Sequence, residues 1–539
     1  MTSYVKCFRD FSGGLSERGG DNMADNQLQR AKNVTPGEGA GLARAEGLSP
    51  AWPRLPDPAN ASGQRVTDII QLTLSSHNTQ LLAFSEYGSF SQPLLGLCGS
   101  YQNIYRYDEE NQGWVLVAER LLAKLDCFVF GRRLYWLTGQ EIYVYDGDSV
   151  SELEITPAQG EEASAMEQLL WNRVKQAVAV EQRGQRWFYA TRYNEVIFSQ
   201  IGDPARIDPD SVVNVNPGGN DPIRALKEFN NGLLIFLENS VYLLEGWDFA
   251  NGSDVSLTRL NVTSGSKYPR TVQTVNNGVL YLGRDGVYQL HIPSAGTTVA
   301  AKNISEQRLS QTLLALGGLD SAFAAVWRGV YRLSVKPHGG PPREYRYYAA
   351  QDAFFGEYDH EAYSYAILDD GRLYAGLDQG RLAWFDSSCH SYIHADSGAA
   401  RPIAVYAVSK GFDVAGAMAR EVKLKKVFCA ARQYTDLGSN LSLRVKTDYT
   451  DLQHRVDLMA LDESLIFGEG EYGAALWGWK DTVTKQLTVN QRARRVTFYF
   501  SDDALGQPLL IYGVAVSFKP RKLRGEREGV TRETVVYQD

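Results

Sequence analysis

A short hairpin-like unit recurs along the middle of this 539-residue chain and constrains its fold more than any other feature. Each copy consists of an apolar and aromatic run, a turn of small residues and a second aromatic run. Good copies occupy residues 134–143, 233–242, 279–288 and 373–382. Their starts are separated by one or two multiples of a period of roughly 47 residues, which lies in the range of propeller repeats. A unit of this size cannot bury its own apolar face, so the copies must stack on one another.

The same period predicts weaker copies in the gaps, and the sequence contains them. They lie at residues 187–198 and 326–333, and residues 81–84 are a candidate start of the series. The 50 glycines and the 11% of aromatic residues fit many short strands joined by tight turns. Because β units that stack radially form a propeller, we predict an all-β protein in which residues 66–400 form a β-propeller of six to eight blades. A helix-forming stretch at residues 157–171 predicts a short helix inserted between blades.

Residues 1–65 differ from the rest, since isolated apolar residues stand among Gly, Asn, Asp, Arg and Pro. We predict an extended N-terminal arm, because such a segment buries little surface alone but can be ordered against a neighbour. It would dock onto the propeller or onto another subunit. The candidate contact residues are Phe11, Leu15, Leu28, Val34, Leu42 and Arg44.

From residue 401 to residue 520 the chain shows longer strands with period-two alternation, as in residues 441–446 and 495–500. One face of such a strand packs and the other meets water, which predicts an antiparallel, sandwich-like module. Residues 521–539 alternate Lys, Arg and Glu with few apolar residues, so we predict a charged, solvent-exposed tail or an assembly strap.

The sequence offers little catalytic chemistry. It has no GxSxG, HExxH or P-loop lysine motif, and the paired aspartates at 146/148, 369/370 and 502/503 lie in predicted turns, where Asp caps the backbone. Seven scattered histidines and five scattered cysteines give no metal-ligand spacing. We therefore predict no enzyme activity, no catalytic residue, no cofactor and no metal. Because glycosidase carboxylates can lie far apart in sequence, a propeller glycan hydrolase remains an alternative.

No apolar run reaches the roughly 18 to 20 residues that a membrane-spanning helix needs, and residues 1–4 lack the layout of a signal peptide. We expect synthesis in a reducing cytoplasm and no membrane-spanning segment. The net charge of −8 disfavours a general nucleic-acid coat, because binding to the phosphate backbone requires concentrated Lys and Arg.

Several motifs carry a resemblance to a known class. They are NEVIFSQIGDP at 194–204, DPIRAL at 221–226, NGLLIF at 231–236 and SVYLLEG at 240–246. Further ones are Gly13-Gly14-Leu15, Asn33-Val34, Arg44-Ala45-Glu46-Gly47, Gly286-Val287-Tyr288 and Lys410-Gly411-Phe412-Asp413. Their order resembles the tail structural proteins of short-tailed bacteriophages, the nozzle or tail-hub class built on a β-propeller.

The resemblance implies a structural component of the virion tail. Such nozzles are rings of identical subunits, commonly six, that attach below a head-to-tail adaptor ring and enclose the channel through which DNA leaves. Tail fibre or spike proteins are further expected partners, and DNA would pass without sequence-specific binding. The negative charge of this chain would keep DNA from adhering to the channel.

A gate requires a segment that swings aside, and the sequence offers two candidates, residues 155–171 and residues 462–479. The second contains Trp477 and Trp479, which we name as possible gate or surface-loop residues. A host-surface-binding adhesin is the remaining alternative, and exposed tryptophans grouped with carboxylates would be its mark. If the chain is instead an enzyme, we expect a deep central pocket lined by acids and arginines.

Overall fold

The computed structural model describes most of the chain. The described residues are 4–18, 22–57, 64–92, 97–157, 162–230, 232–246, 255–276, 278–291, 299–394, 396–414, 421–432, 440–457 and 482–520. Trp477, Trp479 and the charged segment 521–539 lie outside these ranges.

Six strands form before the propeller begins. They are β1 (Tyr4–Phe8), β2 (Gly14–Leu15), β3 (Gln27–Lys32), β4 (Val34–Pro36), β5 (Leu42–Arg44) and β6 (Gly47–Trp52). A short 3-10 turn, Glu38–Ala40, lies between β4 and β5. All six strands pair with strands from distant parts of the chain or with one another.

Seven four-stranded antiparallel sheets follow in the described part of the chain and form the blades of a propeller. Blade 1 contains β7 (Arg65–Ser75), β8 (Asn78–Gln92), β9 (Leu97–Asp108) and β10 (Gly113–Leu122). Blade 2 contains β11 (Asp126–Phe130), β12 (Arg133–Leu137), β13 (Ile142–Tyr145) and β14 (Val150–Glu152). Blade 3 contains β15 (Ala177–Arg183), β16 (Arg186–Thr191), β17 (Glu195–Phe198) and β18 (Val212–Asn214). Blade 4 contains β19 (Ile223–Phe229), β20 (Gly232–Leu237), β21 (Val241–Glu245) and β22 (Ser256–Arg259).

The last three blades complete the ring. Blade 5 contains β23 (Gln273–Val275), β24 (Gly278–Leu282), β25 (Val287–His291) and β26 (Ala300–Asn303). Blade 6 contains β27 (Phe323–Trp327), β28 (Val330–Val335), β29 (Arg343–Tyr348) and β30 (Ala353–Tyr358). Blade 7 contains β31 (Ser364–Ile367), β32 (Leu373–Gly376) and β33 (Leu382–Asp386), and β6 supplies its fourth strand. The N-terminal segment therefore closes the propeller, with Trp384 paired to Ser49.

The structure confirms the predicted all-β propeller and sets the blade number at seven. The recurring motif corresponds to the second and third strands of a blade. The second strand lies between neighbouring blades and is buried on both faces, which is why Gly232–Leu237 and Gly278–Leu282 are continuous apolar runs. In blade 6 the copy at residues 326–333 corresponds instead to the first and second strands.

The first strand of each blade lies nearest the propeller axis, because these first strands contact one another from blade to blade, as β11 with β15 and β31 with β7. Two helices occupy connections between blades. Helix α1, Ala165–Val174, lies between blades 2 and 3 and confirms the predicted insert; helix α2, Ser310–Leu316, lies between blades 5 and 6. Ser164 and Glu167 form a capping box at the start of α1. The 3-10 turns Pro269–Thr271 and Leu319–Ser321 precede blades 5 and 6.

The C-terminal strands form two sheets with strands of the N-terminal segment. They are β36 (Val405–Ser409), β37 (Phe412–Asp413), β38 (Val422–Arg432), β39 (Asn440–Thr447), β40 (Asp451–Asp457), β41 (Thr482–Thr488), β42 (Arg492–Ala493), β43 (Arg495–Asp502) and β44 (Leu510–Pro520). A two-stranded ribbon, β34 (Ser391–Ile393) and β35 (Ala400–Pro402), connects the propeller to them.

The first sheet has the order β4-β5-β44-β38-β41, with β1 on β44 and β42 on β38. The second has the order β2-β3-β36-β43-β39-β40, with β37 on β43. The sheets pack face to face, because the ring of Phe8 in the first lies 4.0 Å from that of Phe412 in the second. Burial alternates along β43, as the sequence pattern of the sandwich requires. Residues predicted as an arm thus supply strands to both units of the fold.

Candidate functional site

Charged side chains gather at the axial end of the propeller where the innermost strands begin. Lys124, in the connection from blade 1 to blade 2, forms an ion pair with Asp68 of blade 1. Although burial opposes the charge of Lys124, Asp68 raises the pKa of this amine above its ordinary value. Asp126, the first residue of β11, accepts hydrogen bonds from the backbone N–H groups of Val180 (3.0 Å) and Cys127 (2.9 Å). Burial raises the pKa of Asp126 to about 6, against the effect of these bonds.

Arg270 bridges this end of the axis. Its guanidinium Nη2 donates to the Thr67 carbonyl at 3.0 Å, and the group lies 5.3 Å from the ring of Phe323. Arg270 precedes blade 5 and Thr67 belongs to blade 1, so the bond joins opposite sides of the seven-bladed ring. Acids and an arginine therefore meet at the axis, which is the arrangement that the alternative enzyme hypothesis predicts. Both oxygens of Asp126 and the carboxylate of Asp68, however, already have partners within the chain. This arrangement ties blades together.

The most enclosed group of charges lies between blades 6 and 7, and we call Glu46, Arg332, Glu344, Arg346 and His360 the ionic cluster. Glu46 comes directly before β6 and pairs with Arg332 and, at 2.9 Å, with Arg346. Glu344 pairs with Arg346 and with His360 Nε2 at 3.0 Å. The side chain of Glu46 is 17% exposed, and the other four are at most 4% exposed.

Every charge in the ionic cluster has an opposite partner. Burial alone would raise the pKa of Glu46, but Arg346 and Arg332 lower it to about 2. The same two arginines and His360 overcome burial at Glu344 and hold its pKa well below the ordinary value. The Ala362 backbone N–H donates to His360 Nδ1 at 3.2 Å, so a neutral His360 carries its proton on Nε2, facing Glu344. The two arginines and the two carboxylates of the ionic cluster thus balance one another's charge.

Aromatic rings surround the ionic cluster. The Arg346 guanidinium lies 3.8 Å from the ring of Tyr358, and that of Arg332 lies 4.4 Å from the ring of Phe385. The phenol of Tyr365 donates to Glu344. These rings exclude water and strengthen the ion pairs, while leaving no room for a substrate. The cluster joins the N-terminal segment, blade 6 and blade 7, and its chemistry is that of a structural lock.

The six arm residues named from the sequence lie within this chain's own fold. Phe11, Leu28, Val34 and Leu42 are at most 1% exposed in the core shared by the sandwich and blades 6 and 7. Leu15 is half-buried and packs against the same core. Arg44 forms a buried ion pair with Asp502 at 3.0 Å. Asp502, predicted to lie in a turn, is instead the last residue of β43, where its carboxylate fixes the N-terminal segment to that strand.

The N-terminal segment also contacts the propeller directly. Gly14 has a φ of +63°, and a Cβ built there would lie 2.4 Å from the Phe354 carbonyl oxygen, so only glycine fits against blade 6. Glu17 accepts hydrogen bonds from the backbone N–H groups of Gln311 (2.9 Å) and Thr312 (2.6 Å). Helix α2 has no side-chain cap of its own at Leu309, so Glu17 supplies it.

Two surface clefts lie on the face that carries α1 and α2. The first, about 530 Å³, is bordered by Glu17, Asp285, Tyr288 and Glu306. The second, about 570 Å³, lies between the 3-10 turn before blade 6 and the β28–β29 loop, and is bordered by Lys336, His338 and Tyr363. No spacing in the sequence indicates either cleft, because their residues come from separate connections between strands.

Within the described ranges, no three His, Cys, Asp or Glu side chains come together as a metal-binding group would require. None of the helices formed by the described residues has the length and apolar character needed to cross a lipid bilayer.

No protein-family model and no curated protein matches the chain. Solved structures similar to it include the extracellular domain of a putative hybrid two-component system from B. thetaiotaomicron, with 12% identity over 65% of this chain and a TM-score of 0.37. The chain spans 40% of that protein. Others are the computationally designed Ika8 protein (11% identity, 69% of this chain and 100% of that chain, TM-score 0.34) and a galactose-bound exo-β-1,3-galactanase from Phanerochaete chrysosporium (9%, 63% and 95%, TM-score 0.24). With TM-scores this low, the propeller assignment rests on the strand pairing in this chain.

Proposed function

We propose that the chain is a non-catalytic structural subunit of the tail of a short-tailed bacteriophage. Copies of it, six in number, would form a nozzle or hub ring below the head-to-tail adaptor. The ring would enclose the DNA channel, carry tail fibre or spike proteins and gate genome ejection. The protein would accordingly reside in the virion tail.

The observation that carries the proposal is the way the N-terminal strands unite the chain. β1 to β5 complete the two sheets of the sandwich, and β6 closes blade 7. The ionic cluster and the Arg44–Asp502 pair then fix this segment with buried charges. A subunit of a channel-forming ring needs a propeller and a sandwich held as one rigid body, and this architecture supplies one. The motifs between residues 194 and 246 and the net charge of −8 support the same role.

Contacts between copies need surfaces other than the six arm residues named from the sequence, since those are buried or half-buried within the chain. Helix α1 offers such a surface. It lies outside the four-stranded blade repeat, and its Met166 and Leu169 are 51% and 47% exposed. Exposed apolar side chains grouped on one helix are typical of interaction surfaces. We assign them to the interface with the next copy in the ring.

The test is the mass of the purified full chain, measured by light scattering. The chain is measured first by itself and then after mixing with a candidate adaptor ring, and any assembly is examined by electron microscopy. Rings with a central channel are the expected result. The double variant Met166→Glu, Leu169→Glu should then give smaller assemblies, and Leu314→Glu, a change at a 50% exposed residue on α2, should not. A chain that stays monomeric under both conditions would contradict the proposal.

A host-surface-binding adhesin is the second candidate. The cleft bordered by Lys336 and Tyr363 favours it, because a cationic site on a protein of net charge −8 is suited to an acidic surface glycan. A monomer that binds acidic glycans would support this candidate. A propeller glycan hydrolase would instead show turnover of a sugar polymer, and a variant of Asp126 should then abolish it.

A further inference from the structure

Two positive charges lie near one aromatic ring at the cleft beside blade 6, which we call the cationic groove. The Lys336 Nζ lies 5.5 Å from the ring centre of Tyr363, and the Arg65 guanidinium lies 5.0 Å from the same centre. Lys336 and Tyr363 border the groove directly. The groove is formed mainly by the turn before blade 6 and the β28–β29 loop, and Arg65, the first residue of β7, lies near Tyr363 without bordering the groove.

Neither cation forms an ion pair with a carboxylate of the described residues. Among the described residues, no carboxylate lies within 4.0 Å of Arg65 or of Lys336, and the Arg65 Nε is buried without a hydrogen-bond partner. Burial and then the charge of Arg65 lower the pKa of Lys336. Asp378 and Glu86 act in the opposite direction, but more weakly. A bound anion would stabilise two like positive charges that are held together at a partly desolvated position.

The groove can admit one. Its volume of about 570 Å³ lies in the range of small-ligand sites. Asp320 on its border is already paired with Lys267 at 3.1 Å, and the Asp378 carboxylate lies 3.5 Å from the Tyr363 hydroxyl. His338 and Ser321 border the groove as further hydrogen-bonding groups. Gly318 lies so close to the β28–β29 loop that a Cβ there would be 2.7 Å from the Lys336 carbonyl oxygen, so the two walls of the groove are in contact at this point.

We propose that the cationic groove is a binding site for an oxyanion, a carboxylate or phosphate group of a ligand. Lys336 contacts the anion, Arg65 adds positive potential from its place near the Tyr363 ring, and His338 and Ser321 supply further hydrogen bonds. The inference is independent of the proposed tail role, because the site is formed within one chain. Acidic sugars and phosphorylated glycans both present this chemistry.

Isothermal titration calorimetry of the full chain with inorganic phosphate, glucuronate and glucose, at constant ionic strength, tests the proposal and distinguishes the sources. We expect binding of phosphate or glucuronate and none of glucose, and the tighter of the two anions identifies the source. Lys336→Gln should weaken binding about tenfold or more, since a charge-assisted hydrogen bond is lost. Lys425→Gln is the matched control, because neighbouring cations also lower the pKa of Lys425, on β38 far from the groove.

A second measurement uses the unaltered protein, in case the Lys336 variant fails to fold. Acetic anhydride labelling, followed by mass spectrometry of the peptides, reports the reactivity of each lysine. Phosphate or glucuronate should protect Lys336 and leave Lys425 unprotected. The proposal is overturned if neither anion binds, if glucose binds equally well, if the folded Lys336 variant binds as the parent does, or if neither anion protects Lys336.

Discussion

The carboxylate of Glu46 lies 2.9 Å from the guanidinium of Arg346, although 300 residues separate them in the sequence. Glu46 directly precedes the strand that closes blade 7, and Arg346 belongs to blade 6. The pair therefore joins the closing strand to the neighbouring blade, and it is largely shielded from water, with side-chain exposures of 17% for Glu46 and 1% for Arg346.

Replacing Glu46 by Gln should destabilise the protein strongly. Arg332 and Arg346 would keep only Glu344 as a counter-charge, and removing one partner from a buried ionic group costs about 3–5 kcal/mol. Chemical denaturation measures the loss. Glu357→Gln is the control, since its pair with Arg343 is more than a third exposed and contributes at most about 1 kcal/mol. Equal effects of the two substitutions would contradict the role of the ionic cluster.

Gly14→Ala should cost more stability than Gly39→Ala. Both glycines have a positive φ, +63° and +65°, so both substitutions carry a left-handed backbone penalty of about 1 kcal/mol. At Gly39 the new methyl group meets nothing within 4 Å, whereas at Gly14 it meets the Phe354 carbonyl. The additional overpacking should cost about 1–3 kcal/mol. Thermal or chemical unfolding of the two variants measures the difference. Equal stabilities would show that Gly14 does not lie in close contact with the Phe354 carbonyl of blade 6.

Glu17→Ala should loosen helix α2 without unfolding the chain. The backbone N–H groups of Gln311 and Thr312 would lose their acceptor, and the loss of a helix cap costs about 1 kcal/mol. Hydrogen exchange at these two amides should become faster. Glu306→Ala changes an exposed neighbour that also borders the first cleft and should leave the exchange unchanged. Unchanged exchange in the Glu17 variant would contradict its capping role.

Asp126 should make stability depend on pH. Its pKa is about 6 in the folded protein and 3.8 for an ordinary aspartate, so folding favours the protonated carboxyl. The resulting stabilisation is complete below about pH 4 and is lost as the pH rises to about 6. In Asp126→Asn, whose amide oxygen can still accept from Val180, this dependence should disappear. Unfolding free energies of parent and variant between pH 4 and pH 7 provide the check, and a constant difference over this range would rule out the raised pKa.

Deletion of residues 1–45 should prevent stable folding instead of producing a folded chain that merely fails to assemble. The deletion removes β1 to β5 and exposes the edges of β44 and β36, along with the blade 6 surface that β2 and β3 cover. We expect aggregation of the truncated chain, because uncovered strand edges pair with other chains. A soluble truncated chain with the same circular dichroism spectrum as the parent would refute this expectation.

The sequence predicted the propeller because each blade places a buried apolar strand beside an aromatic one at a regular period. The closing strand gave no such signal. Gly47–Trp52 contains Pro50 and lacks alternation, which suits an outermost strand but resembles a loop in sequence. Its partner, β33, begins 330 residues after it ends, and a single sequence does not reveal such a pairing.

The ionic cluster was missed for a different reason. Arg332, Glu344 and Arg346 stand in strands where charged residues normally face water, and only the pairing of β28 with β29 places Arg332 opposite Arg346. The motif Arg44-Ala45-Glu46-Gly47 was recognised, but its glutamate was not singled out. Likewise, the two cations of the cationic groove come from blade 1 and blade 6, and no spacing in the sequence connects them.

The pairing of the first strands with the last has a consequence for synthesis. Tyr4 pairs with Phe518, and Gly47 pairs with Asp386, so strands near the start of this sequence pair with strands that are synthesised hundreds of residues later. Blades 1 to 6 can form as they emerge, whereas blade 7 requires β33 and the first sheet of the sandwich requires β44. Nascent chains that stall before residue 510 would lack β44, the central strand of the first sheet, and remain open to degradation. Synthesis through β44 is thus a condition of the native state.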